Sequence, residues 1–192
     1  MADDLGIAPG EVHAAAQAVL RFWFEETPED KWFAKDAALD QAIAERFGRM
    51  RDAVLANGAI GWADDPETLL AAIILLDQFS RNIHRGSADA FAADGLALDL
   101  THRALARGWE AAIPPQRRAF LYMPLMHAED REEQRVSLDC FTKLGDPTNL
   151  KFARAHRDVV DRFGRFPSRN AALGRVSTEA EKAYLSQPDA GW

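Results

Sequence analysis

Apolar positions along this 192-residue chain recur at helical spacing in one segment after another, and turn residues separate the segments. Val12, Ala16, Val19, Leu20 and Trp23 predict a helix from Pro9-Gly10 to about Glu26. Leu39, Ile43, Phe47, Met50 and Val54 form one stripe of a second helix, opened by Asp36 as cap and closed by Asn57-Gly58. Asp65 followed by Pro66 reads as an N-cap and a first helical position, and begins a third. A helix restarting at Ser87 is expected to carry Phe91, Leu98, Ala104 and Leu105 to Gly108. Pro114-Pro115 starts another, in which Pro124 should kink or divide the helix. A polar-faced helix ends near Gly145, Asp146-Pro147 opens one that stops at Gly164, and Thr178 with Glu181 has capping-box spacing. No strand-like alternation competes. The fold class read from this pattern is all-α, a single domain over residues 1–192 built of stacked antiparallel helical hairpins, without a regular 34-residue repeat.

Composition changes the picture mainly by exclusion. A net charge of −7 argues against a general nucleic-acid or anionic-membrane binder, since both need a basic face. The single Cys140 excludes an intramolecular disulfide and any multi-cysteine zinc site, reads as a packing residue, and makes the reducing cytosol the simplest compartment. The acidic start MADDLGIAPGEV has no signal-peptide pattern, and no apolar run reaches 18 residues. The aromatics Phe22, Trp23, Phe24, Trp32 and Phe33 read as core packing.

The stretch AAIILLDQFSRNIHRG, residues 71–86, poses the main question, because an apolar run ends abruptly in polar groups. Asp77 shares a helical face with Leu70, Ile73 and Ile74, so it should be buried, and a buried carboxylate needs a cationic partner. Arg81, one turn on, is the local candidate, with Arg85, His84 or a distant arginine as alternatives.

A second cluster lies at residues 151–175. There Lys151, Arg154, Arg157, Arg162, Arg165, Arg169 and Arg175 face only Asp158 and Asp161. These groups can pair with the acidic run containing Glu129, Asp130, Glu132 and Glu133, or they can line an anion pocket. A third cluster, LYMPLMHAED, sets His127 beside Tyr122, Glu129 and Asp130, a candidate base or a structural histidine; a metal there would need His84 or His156 as well. DQFSRN at 77–82 and DRFGRFPSRN at 161–170 echo one another. If their ends meet in space, Arg81 and Arg169 bracket either an anion or an internal carboxylate such as Asp77 or Asp161. No dinucleotide, P-loop or nucleophile-elbow motif occurs.

In order, VLRFWF, WFAKD, ILLDQFSRN, FLYMPLMHAED and DRFGRFPSRNAALGR resemble the motifs of the bacterial family known as domain of unknown function 924, over nearly the whole chain. The resemblance implies a tetratricopeptide-like helical fold and no known reaction, substrate or cofactor. The chain departs from the family pattern at Ser80, where proline is usual, and at Ser168, where histidine is usual; Arg81, Asn82, Arg169 and Asn170 match.

Two function classes follow. One is a binding module whose groove, lined by Arg81, Asn82, Arg85, Arg165, Arg169 and Asn170, receives an anionic small molecule or an acidic peptide. The other is an enzyme on an anionic small substrate with His127 or Asp77 as general base. Neither needs a metal or another cofactor, and oligomeric state is left open.

Overall fold

The computed structural model describes residues 9–188 and residue 190, and among these it contains helices and turns but no strand. The acidic N-terminal stretch begins outside the described residues. Helix α1 (Pro9–Arg21) continues through a π turn at Phe22–Glu26, so the predicted end near Glu26 holds. Then come α2 (Ala37–Ala56), α3 (Pro66–Ile73), a π turn at Ile74–Phe79 and α4 (Ser80–Ile83), the last three forming one continuous helical run. The chain continues with α5 (Asp94–Ala106), α6 (Pro115–Met126), α7 (Arg131–Leu144), α8 (Pro147–Phe163) and α9 (Glu179–Leu185).

The caps explain most boundaries. Asp36 accepts from the amides of Ala38 and Leu39, and Asp65 from those of Glu67 and Thr68. Asp146 caps α8, Thr178 and Glu181 complete a capping box, and Gly145 and Gly164 end their helices in the left-handed conformation. One expectation fails, and a second fails in its stronger form, since Pro124 does not divide its helix. Ser87 opens only a 3-10 turn at Ala88–Ala90, and α5 starts at Asp94. Pro124 lies inside an undivided α6, where it forfeits a single main-chain bond two residues before the helix ends.

The run from α3 to α4 is the axis of the molecule. Leu69 through Leu76 are all buried, so this helix is apolar on every side, as an element surrounded by others must be. It packs against α1 and α6, its π turn against α2 and α5, and α4 against α2. On the other side α6, α7 and α8 pack in succession. Trp23, Phe79 and Phe120 meet edge to face in the middle, and of the N-terminal aromatics Phe22 and Trp23 are core, Phe24 and Trp32 pack partly buried against it, and Phe33, read as core from the sequence, is 66% exposed.

The polar end of the axial helix is where its neighbours are tied down. Arg51 of α2, 4% exposed, donates from Nε to Ser80 Oγ at 2.8 Å and from Nη2 to the Asp89 carbonyl at 3.2 Å. Asn82 and Arg85 both hold Asp40 of α2, at 2.7 to 2.8 Å. Truncating a buried donor leaves its acceptors unsatisfied. Arg51→Ala is therefore expected to lower the unfolding free energy by about 1–3 kcal/mol in urea titration, against less than about 0.5 kcal/mol for exposed Arg49→Ala.

Candidate functional site

Asp77 sits in the π turn with 1% of its side chain exposed. Its local partner is the expected one: Arg81 Nη1 lies 3.1 Å from Oδ1 and also donates to the Asp77 carbonyl at 2.8 Å. Sequence spacing does not reveal the other two. His127, just past the end of α6, brings Nδ1 to 2.7 Å from Oδ1, and Gln78 donates from Nε2 to Oδ2 at 2.6 Å. Burial alone would raise the Asp77 carboxyl, but the Arg81 charge and the hydrogen bonds from His127 and Gln78 outweigh it and hold the group far below the carboxylate range. An ionised carboxylate only accepts, so the His127 proton resides on Nδ1 and Nε2 keeps its lone pair. Nε2 makes no hydrogen bond among the described residues, and the side chain retains 15% exposure. Burial pushes the imidazole below its ordinary value; Asp77 opposes this and Arg81 adds to it.

Beside this dyad the two echoed motifs converge. Arg81 grips Asp94 with both terminal nitrogens, at 2.9 and 3.0 Å, and Arg169 reaches the same carboxylate at 3.1 Å. The carboxylate between the two arginines is therefore Asp94, not Asp77 or Asp161. Arg169 also donates to the His127 carbonyl at 2.8 Å, and its guanidinium lies 4.7 Å from the rings of Phe91 and Phe166. His156 stands next to His127, ring centroids 6.1 Å apart, with Nδ1 held by the Phe152 carbonyl at 2.9 Å. Burial, then the neighbouring His127, push His156 down to about 3.

The carboxylates next to His127 in sequence serve other ends. Glu129 takes Arg175 on both oxygens, at 2.6 and 2.8 Å, and the Phe166 amide at 2.7 Å, fixing the base of the loop that carries Arg169. Asp130 caps α7, and Tyr122 packs edge-on against Phe141 in the core. Of the other residues singled out, Arg165 pairs with Glu181 at 2.6 Å and Asn170 with Ser177 at 3.0 Å, while Asn82 and Arg85 lie on Asp40. The six named groove residues thus divide among separate places: Arg81 and Arg169 meet on Asp94, Asn82 and Arg85 meet on Asp40, and Arg165 and Asn170 each bind elsewhere. Cys140 is buried, and burial raises its thiol to about 11. Among the described residues no group of three or more His, Cys, Asp or Glu side chains is arranged to hold a metal. Cavities of about 530 and 440 Å³ lie elsewhere, one at Arg162, Phe163 and Glu181, the other at Trp32, Pro115 and Pro147; neither borders the dyad.

Asp77→Ala removes the buried carboxylate shared by Arg81, His127 and Gln78 and is expected to lower stability by about 3–5 kcal/mol in denaturant titration; a loss below about 0.5 kcal/mol would show a surface-like residue. The histidines set the acid side. Each is pushed below its unfolded value of roughly 6.5, so the unfolded chain binds more protons once pH falls beneath that value. Stability is complete above it and declines toward lower pH, by up to about 1.4 kcal/mol per pH unit for each histidine still neutral when folded. Comparing urea midpoints at neutral and mildly acidic pH should show this slope shallower in His156→Gln than in the wild type.

Residues 19–189 match the family model described as Bacterial protein of unknown function (DUF924). The solved structure of a protein of unknown function from Agrobacterium tumefaciens, ATU0120, superposes with a TM-score of 0.86 at 40% sequence identity, covering 91% of this chain and 98% of that one. No curated protein matches the chain. On a match of this extent, the chain belongs to the DUF924 family of bacterial proteins of unknown function.

Proposed function

We propose that this protein is an enzyme acting on a small anionic substrate, with His127 as general base and Asp77 as the group that orients it. The observation that carries this reading is the 2.7 Å contact from His127 Nδ1 to a fully buried carboxylate, with Nε2 unengaged by any described residue. A carboxylate behind an imidazole fixes its tautomer and stabilises the imidazolium formed when Nε2 takes a proton. A depressed imidazole is unprotonated at neutral pH, the form a base needs. Arg81 and Gln78 then act as positioning residues, holding the carboxylate from the sides that His127 leaves open.

A second reading keeps the protein as a binding module for an anionic small molecule or acidic peptide. It is favoured by one observation, the convergence of Arg81 and Arg169 on a single carboxylate. The tetratricopeptide-like arrangement implied by the family draws support from the successive packing of α6, α7 and α8. A cytosolic site of action fits the lone buried thiol, and no helix of the described residues is long and apolar enough to cross a membrane.

Incubating the protein with a panel of small carboxylates and phosphate esters, followed by mass spectrometry, separates the two. The enzyme reading expects consumption of a compound by the wild type and a rate lower by about 10²–10⁴-fold in His127→Asn, at unchanged helical content. Equal rates in both proteins would overturn it, and retention of a compound without turnover would select the binding module.

A further inference from the structure

We propose that the Asp94 carboxylate occupies, inside the chain, the place of the substrate's own anionic group. A small carboxylate or phosphate then enters by exchanging with Asp94 on Arg81 and Arg169. This deepens the acid–base reading and rests on it for what happens at the other end of the substrate.

Asp94 opens α5, yet no side chain caps that helix; its carboxylate reaches instead to two guanidinium groups. The contact with Arg81 is a two-point fork, the geometry that any carboxylate, and a phosphate equally, reproduces oxygen for oxygen. Exchange therefore replaces like with like and leaves no buried cation bare.

The arginine end retains unused capacity. Arg169 makes no hydrogen bond from Nε among the described residues, and its side chain is only 12% exposed. Burial, reinforced by Arg81, holds its guanidinium down to about 10, with Asp94, Glu129 and Asp77 opposing. Arg81 is held the other way, raised by Asp77 and Asp94 against its burial.

Asp94 is also the member of the cluster able to leave. Its side chain is 21% exposed, against 1% for Asp77, and it follows an irregular loop that turns at Gly86, φ +83°. Glu129, the remaining nearby carboxylate, is fully engaged by Arg175 and the Phe166 amide. Because Arg169 also binds the His127 carbonyl, an anion on Arg169 brings the adjoining part of its molecule next to the dyad.

An internal carboxylate competes at an effective concentration of roughly millimolar or more, so simple anions bind the wild type weakly and Asp94→Asn unmasks the site. Calorimetric titration with inorganic phosphate and with succinate should show about tenfold or greater tightening in Asp94→Asn, about 1.4 kcal/mol. Adding Arg169→Gln should abolish it, and adding His127→Asn should leave it intact. That last arm separates failure of this proposal from failure of the acid–base reading, which is judged by turnover. Equal affinity in the wild type and Asp94→Asn, or tight binding that survives Arg169→Gln, overturns the proposal. If Asp94→Asn does not fold, the Arg169 Nε resonance of the wild type is followed by nitrogen NMR. It should shift on titration with phosphate into the tens of millimolar, and a resonance that stays put overturns the proposal.

Discussion

A carboxylate with no contact to water has to be matched from within, and the Asp77 side chain imposes that requirement on everything around it. The axial helix is apolar on all sides up to Leu76, so the first ionisable group after it lies in the π turn that packs against α2, α5 and α6. Arg81 supplies the charge, Gln78 covers the second oxygen, and His127 takes the remaining direction. Arg81 in turn holds Asp94, which holds Arg169. The abrupt change from Ile-Ile-Leu-Leu to Asp-Gln-Phe-Ser-Arg-Asn is thus both structural and chemical. The residues that knit the helices together leave one imidazole nitrogen unbonded among the described residues at the edge of the network.

Most of the fold was legible because helix boundaries are local. Asp36, Asp65, Asp146 and Thr178 each cap the helix their spacing announced, and Gly145 and Gly164 stop theirs. The exceptions are informative. Ser87 reads as a restart, but the next three residues close only a 3-10 turn, and the apolar positions Leu98, Ala104 and Leu105 are compatible with either start. The burial of Arg51 was hidden because an arginine in an amphipathic helix ordinarily faces solvent; Asp52 beside it supplies a carboxylate, and the distant Ser80 and the Asp89 carbonyl take the rest of its guanidinium.

The site was legible in half. The position of Asp77 on an apolar face announced a buried ion, and i to i+4 spacing named Arg81. His127 stood out as a candidate, but beside the wrong carboxylates: Glu129 and Asp130 are its sequence neighbours, whereas its actual partner lies 50 positions earlier. Asp94 gave no signal at all. It begins a helix like many other acids, and its role depends on two arginines that tertiary packing brings to it. The echo of Ser-Arg-Asn pointed to the meeting of Arg81 and Arg169 without indicating what would lie between them.

Arg169 and Asp94 are 75 residues apart, and the arginine arrives on the turn after α8. A contact that closes so long a stretch of chain carries a loop-closure cost and forms late relative to local helical contacts. Arg81 and Asp94, 13 residues apart, can meet long before. The last third of the chain, packed on α6 through α7 and α8, is thus tied to the Arg81–Asp94 pair by one guanidinium lying against Phe91 and Phe166. The surroundings of the dyad are therefore complete only with the C-terminal segment in place, since Arg169 on the His127 carbonyl and His156 beside the His127 ring both come from it.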